Sequence, residues 1–279
     1  MARTESVPVP ATAGGKAGLS ALLTYHAGAL IAVDFDGTLA PIVPDPAEAR
    51  ALPAAIDALR ALAPLVGTVA VLTGRPALKA VEYGSLQRVP GIIVLGQYGR
   101  QRWQDGSLTS PPPPEGLALA RDRLPAVLAR AGAPAGIWVE DKADALAVHT
   151  RRAADPPRAL DAIRAPLQQL AAETGLHAEP GRLVLELRPL GADKGTALEK
   201  LATRRAASAV MFCGDDLGDL PAFAAVRRMR AAGRPGLAVF SWSAEVGELA
   251  GEADLVVDGP EGVASLLAAL AARIARAGR

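Results

Sequence analysis

The chain has 279 residues, half of them hydrophobic, with 30 Lys and Arg against 29 Asp and Glu. Such a composition builds one large or two modest globular domains and excludes a disordered chain. Charge is close to balanced and the basic residues are spread, so nucleic acid and membrane surfaces have no electrostatic footprint; a small-molecule substrate is expected instead.

Residues Met1 to Gly18 mix Pro, Ala, Gly and Ser without an apolar block long enough for a signal peptide or a membrane span, and read as a mobile tail. The first chemically loaded stretch follows. Leu30 to Val33 has the pattern of a strand buried on both faces, and it stops at Asp34-Phe35-Asp36-Gly37-Thr38. Carboxylates at i and i+2 face the same side of a pleat and repel each other unless a cation sits between them. A divalent, oxygen-seeking metal meets that need and also neutralises a phosphate. A strand-end turn held by Asp side chains is the competing explanation of this pentapeptide taken alone.

A helical spacing from Pro53 to Pro64 leads to a second buried strand, Thr68 to Leu72, which implies a parallel pair with a right-handed crossover. Thr73-Gly74-Arg75 then lies at a carboxyl-terminal strand edge, where open α/β sheets bind ligands. A helix N-cap explains Thr73 equally well. A third strand, Gly91 to Leu95, enters a loop with Tyr98 between Gly96 and Gly99 and with Gln101 beyond it: a tight turn near a ligand or domain crossing, or a simple loop.

At Pro111 to Pro114 the pattern changes from alternating strand and helix to helix, two strands, helix, two strands, so residues 105–187 read as an inserted domain. Ile137 and Val139 oppose Glu140 and Lys142; Leu146 and Val148 oppose His149 and Arg151; Leu183, Leu185 and Leu187 oppose Glu186 and Arg188. A solvated sheet face has this alternation too. Opposed acids and bases with a His also suit hydroxyls and an anion, as on a sugar phosphate.

The first pattern resumes at Asp193-Lys194-Gly195, which opens a helix over Thr196 to Arg204 and puts a cation where the helix dipole prefers an anion. Ala209 to Cys213 is another buried strand, broken by Gly214-Asp215-Asp216-Leu217-Gly218-Asp219. Three carboxylates in five residues after an apolar strand are hard to explain as a turn and complete a cation site with Asp34. Cys213, the single cysteine, excludes an internal disulfide, reads as a small buried hydrophobe and fits a reducing, cytoplasmic setting. Strands at Leu237 to Phe240 and Leu255 to Val257 and a helix from Gly262 to Ala275 close the chain.

The order Asp34 and Asp36, Thr73, Lys194, then Asp215 to Asp219 resembles the haloacid dehalogenase-like phosphatases. Within them, Val139-Glu140-Asp141-Lys142, Ala147-Val148-His149-Thr150-Arg151, Glu186-Leu187-Arg188-Pro189 and Asp193-Lys194-Gly195 resemble the trehalose-6-phosphate phosphatases. The resemblance implies an α/β fold: a Rossmann-like core with a parallel sheet, over 19–104 and 188–279, plus an inserted α+β cap. It makes Asp34 the nucleophile and Asp36 the acid and base. Thr73 and Lys194 then hold the phosphoryl oxygens beside Gly74 and Arg75. Mg2+ is implied at Asp34, the backbone carbonyl of Asp36 and Asp215, with Asp216 and Asp219 within reach directly or through water. Glu140, Lys142, His149, Arg151, Glu186 and Arg188 are implied to contact the sugar. That family often has His at Tyr98 and an acid at Gln101, so this loop departs from it. A monomer acting on a sugar phosphate is expected. Sucrose phosphate and mannosylglycerate phosphate are alternative substrates. A phospho-accepting receiver module is a non-enzymatic rival, but it lacks the second acid, the late acidic cluster and the cap.

Overall fold

The computed structural model describes residues 7–142, 144–181, 183–242 and 247–277. After α1 (Ala13–Thr24) come β1 (Leu30–Val33), α2 (Pro53–Leu62), β2 (Thr68–Leu72), α3 (Ala77–Gly84), β3 (Ile93–Gly96), β4 (Gln101–Gln104) and β5 (Ser107–Thr109). They are followed by α4 (Glu115–Arg130), β6 (Trp138–Asp141), β7 (Leu146–His149), α5 (Pro156–Glu173), β8 (Leu176–Gly181) and β9 (Val184–Pro189). The chain ends with α6 (Lys194–Arg204), β10 (Val210–Gly214), α7 (Leu220–Ala231), β11 (Gly236–Ser241), β12 (Leu255–Val257) and α8 (Gly259–Ala277). Two compact units result, Met1–Ser110 with Asp193–Arg279, and Pro111–Ala192.

The first unit is an α/β sheet in the order β12-β11-β10-β1-β2-β3-β4-β5. Neighbours from β12 to β3 are parallel, while β4 and β5 add as an antiparallel hairpin. Strands such as β1, β2 and β10 are buried throughout because helices cover both faces of the sheet, which is why their sequences are unbroken apolar runs. One face carries Ile31, Val33, Val69 and Val71 against Ile56, Leu59 and Leu267; the other carries Leu30, Ala32 and Leu72 against Leu198, Phe223 and Val226. From β1 the chain builds outward through β2 and β3, then returns to β10 on the other side of β1. The carboxyl ends of β1 and β10 therefore flank a topological switch point, where a crevice opens for ligands.

The second unit is a sheet in the order β6-β7-β9-β8, antiparallel throughout, with α4 and α5 packed on one face through Leu117, Leu124, Ile163 and Leu167. Its limits differ from 105–187, because β5 pairs with β4 and keeps residues 107–109 in the first sheet, while β9 continues to Pro189.

The segment through Gly18 departs from the tail expected there. Thr12 caps α1 by accepting from the Gly15 N–H at 2.9 Å, and its hydroxyl donates to Asp254. Gly18 lies so close to β11 that a Cβ would meet the Gly236 carbonyl oxygen at 2.1 Å. Tertiary packing thus makes a helix of a stretch whose composition favours a loop. Met1 to Ser6 lie outside the described residues. Among the described residues no helix is long and apolar enough to cross a membrane.

Candidate active site

The end of β1 delivers Asp34, whose N–H donates to the Cys213 carbonyl of β10 and so continues the parallel register past the strand. Gly37 then turns back with φ +75, a conformation open to glycine, and a Cβ there would stand 1.9 Å from Asp215 Oδ2. The backbone therefore approaches the Asp215 carboxylate closely. Ser241, at the end of β11, fixes this turn by donating to the Gly37 carbonyl at 2.7 Å.

Lys194 is the first residue of α6, after the N-cap Asp193. Its ammonium lies between Asp34 Oδ1 and Asp219 Oδ1, 2.7 Å from each. All three side chains are buried. Burial alone would lower the Lys194 pKa, but Asp219, Asp34 and Asp216 outweigh it and hold the pKa well above the ordinary lysine value. The other Asp219 oxygen accepts from the N–H groups of Asp215 and Asp216 at 2.9 and 3.2 Å. Asp216 in turn accepts from the Gly218 N–H at 2.8 Å, so Asp216 and Asp219 cap the short 3-10 turn at Leu217–Asp219 reciprocally. The resemblance implies both near the metal; here both shape the loop, and Asp219 also holds Lys194.

The Asp34, Asp215 and Asp219 carboxylates each place an oxygen within 4.8 Å of the others. Burial, reinforced by neighbouring carboxylates and opposed by Lys194, raises the pKa of Asp34 and of Asp215 well above the usual carboxylate range. Asp216 is pushed up to about 6, chiefly by burial and Asp219. One ammonium does not balance this many buried anions, and a second cation would. The donors are all oxygen, which fits a hard divalent ion such as Mg2+. Asp219 is occupied at both oxygens, whereas Asp215 has only a long approach from Thr38 Oγ1, at 3.5 Å, among the described residues. Asp34 and Asp215 are thus the carboxylates suited to hold the ion.

Thr73 is buried just after β2, and its hydroxyl accepts from the Arg75 N–H at 3.1 Å, leaving the hydroxyl proton to donate. It does not cap α3, which begins at Ala77. That helix instead has its Ala77 N–H received by Gln101 Oε1 at 2.9 Å, which gives Gln101 a structural role that the loop sequence did not reveal. Tyr98, at φ 56, sets its hydroxyl against Gly74, where a Cβ would stand 2.7 Å from the oxygen. Arg75, expected on the phosphoryl group, donates to Asp36 through Nε and Nη2, each at 2.7 Å. Cys213 is a buried free thiol whose pKa burial pushes up, so it stays neutral.

In the second unit, strand register puts Trp138, Glu140, His149, Glu179, Glu186 and Arg188 on the sheet face opposite α4 and α5. Lys142 donates to Glu186 at 3.1 Å, His149 meets Glu140 at 2.9 Å, and Arg188 meets Glu179 at 3.0 Å. Trp138 stacks on His149 with ring centroids 4.4 Å apart. Two expectations change. Strand β7 ends at His149, so Arg151 lies in a turn and is exposed. Val139 faces the helices but is exposed, because β6 is the edge strand. Trp138 and Glu179 continue the same alternation and belong to this face as well.

Known proteins resemble this chain in sequence and in fold. The chain is 36% identical over 224 residues to an uncharacterized glycosyl hydrolase of Mycobacterium tuberculosis, covering 75% of this chain and 16% of that protein. It is 32% identical over 260 residues to the trehalose-phosphate phosphatase of Mycobacterium marinum, covering 88% and 62% respectively. The chain therefore spans less than two thirds of these curated relatives. The C-terminal domain of trehalose-6-phosphate phosphatase from Candida albicans superposes with a TM-score of 0.75 at 19% identity, over 96% of this chain and 99% of that one. A haloacid dehalogenase-like hydrolase from Bacteroides thetaiotaomicron gives 0.54 at 17% identity, over 86% and 98%. At these identities the structural likeness establishes the fold alone, an α/β core with an inserted α+β unit, as in those structures. Trehalose-phosphatase is also the family that matches residues 32–261, from within β1 to the start of α8. With sequence, fold and strand-end carboxylates in agreement, the chain belongs to the trehalose-phosphatase family.

Proposed function

We propose that this chain is a phosphatase that hydrolyses trehalose 6-phosphate to trehalose and phosphate through an aspartyl-phosphate on Asp34. The observation that carries the reading is the buried row Asp34, Lys194 and Asp219 with Asp215 beside it, at the carboxyl ends of β1 and β10. Such a site stabilises negative charge that develops on a phosphoryl group, and it keeps a carboxylate next to it as nucleophile.

Asp34 attacks phosphorus, and the bond from phosphorus to the sugar oxygen breaks. Asp36 gives its proton to the departing oxygen. Water then attacks the aspartyl-phosphate and passes a proton to Asp36, which releases phosphate and restores Asp34. Lys194 and Thr73 hold the phosphoryl oxygens, and Lys194 also orients Asp34. Mg2+, when held by Asp34 and Asp215, neutralises charge on the transferring group. The polar face of the second unit, with Glu140, Lys142, His149, Glu186 and Arg188, and with Arg151 at its margin, supplies the hydroxyl-binding groups that choose the sugar.

Phosphate release from trehalose 6-phosphate, sucrose phosphate, mannosylglycerate phosphate and an aryl phosphate, with Mg2+ and with excess chelator, tests the proposal. It requires Mg2+-dependent turnover with the highest kcat/KM on trehalose 6-phosphate. Full activity in chelator refutes the metal, and a preference for another sugar phosphate refutes the substrate.

A further inference from the structure

Arg75 and Asp36 are 39 residues apart in sequence, yet they form a two-pronged ion pair: Nε to Oδ2 and Nη2 to Oδ1, both at 2.7 Å. The arginine is the better anchored partner. Its side chain is 13% exposed against 41% for Asp36. Its N–H donates to Thr73 Oγ1 at 3.1 Å, and its carbonyl accepts from the Gln97 N–H at 2.9 Å. The guanidinium carbon lies 5.5 Å from the centroid of the Phe35 ring and 5.4 Å from that of Tyr83. Phe35 is fully buried between the two aspartates in sequence.

A carboxylate as open as that of Asp36 samples several rotamers unless something fixes it. A planar guanidinium fork fixes both its position and its plane, which a lysine cannot do. Each carboxylate oxygen has two acceptor sites, so the fork leaves one on each oxygen for the proton in transit. We infer that Arg75 is a positioning residue for Asp36, holding the acid and base in line with the leaving oxygen, and that it is not a phosphoryl ligand. This inference rests on the role proposed above for Asp36. The Arg75 backbone N–H holds Thr73 while its side chain holds Asp36, so one residue links the turn after β2 to the loop after β1.

The test compares Arg75→Lys and Arg75→Gln, each in the wild-type and the Asp36→Asn background. It measures steady-state turnover of trehalose 6-phosphate and the first-turnover burst of aryl alcohol from an aryl phosphate. Arg75→Lys keeps the charge and most of the stem packing, so it separates loss of the fork from loss of folding, which circular dichroism checks. A poor leaving group needs a well-placed proton, and misplacement costs about 10- to 100-fold. Both Arg75 variants should lower kcat on trehalose 6-phosphate by about that factor with KM within about threefold, and leave the aryl burst within about threefold. In the Asp36→Asn background Arg75→Gln should add almost nothing. A raised KM on both substrates, or an effect undiminished in Asp36→Asn, makes Arg75 a phosphoryl ligand and overturns the inference, as does unchanged kcat. If Asp36→Asn alone slows both substrates equally, the acid role itself fails; if it is selective while the Arg75 variants are silent, only the inference fails.

Discussion

Asp219→Asn separates two jobs that a carboxylate in this cluster can do. Asp219 is fully buried; one oxygen takes the Lys194 ammonium at 2.7 Å and the other takes the N–H groups of Asp215 and Asp216. An Asn side chain has the same shape, and its single carbonyl oxygen is drawn to the two N–H donors. Its NH2 group then faces Lys194, donor against donor. Lys194 keeps Asp34 but loses one charge-assisted hydrogen bond, worth about 1.5–3 kcal/mol. Chemical unfolding should show a loss of about that size. The ammonium, pulled toward Asp34, would no longer meet the phosphoryl oxygens proposed to bind it, so kcat/KM should fall about 10- to 100-fold at about 1.4 kcal/mol per tenfold. Sugar and aryl phosphates should suffer equally, because the phosphoryl group is common to both. The Mg2+ concentration for half-maximal activity should move little in Asp219→Asn and rise at least about tenfold in Asp215→Asn, which removes a proposed direct ligand. Mg2+ should likewise raise the unfolding temperature of Asp219→Asn but much less that of Asp215→Asn. If high Mg2+ restores Asp219→Asn to wild-type turnover, Asp219 is a ligand of the ion and its hold on Lys194 is incidental.

Glu186→Ala should cut kcat/KM on trehalose 6-phosphate about 10- to 100-fold through loss of one or two charge-assisted hydrogen bonds, and leave an aryl phosphate within a few-fold, as parallel assays will show. Asp254→Asn should destabilise the first unit by about 3 kcal/mol in denaturant titrations, since Asp254 receives Arg230 Nη1 at 2.7 Å, the Ala238 N–H at 2.9 Å and the Thr12 hydroxyl. Burial pushes the Asp254 pKa up, but Arg230, Thr12 and the Ala238 N–H outweigh it and hold the pKa below the usual carboxylate value. A depressed folded pKa gives stability that is present above the unfolded value of about 3.9 and is lost as pH falls through the folded one, so wild type and variant should converge in unfolding midpoint only below about pH 4.

The parallel sheet was legible because burial on both faces leaves no room for polar residues: the apolar runs Leu30 to Val33 and Thr68 to Leu72 are β1 and β2 as they stand. Where one element depends on another, the sequence was silent. The helix α1 has small residues where a strong helix would have larger ones, and it exists because Gly15 and Gly18 allow it to lie against Asp254 and β11. Strands β4 and β5 are short and partly polar, and only their pairing on the edge of the sheet makes them visible. Arg151 shows the converse error, an alternation continued two residues past the point where the strand turns away.

The chemistry of the site was legible for the same reason as the sheet. A buried strand that ends in carboxylates has to neutralise them, and Asp34 and Asp215 announce that need in the sequence. Which cation serves which anion is a question of register and reach, and local sequence does not contain it. Lys194 and Arg75 both sit among motif residues, and both were expected to face the phosphoryl group. Lys194 meets buried Asp34 and Asp219, whereas Arg75 meets the more open Asp36. The division follows from their chemistry. An ammonium is a compact point charge with three donors, suited to a narrow space between two carboxylates and a transferring group, while a guanidinium fork suits a single carboxylate that has to be held in one plane. The two cations differ in kind as the proposed reaction requires, because it asks different things of the two aspartates. In that reaction Asp34 has to stay ionised and close to phosphorus, and Asp36 has to stay in line with an oxygen that leaves.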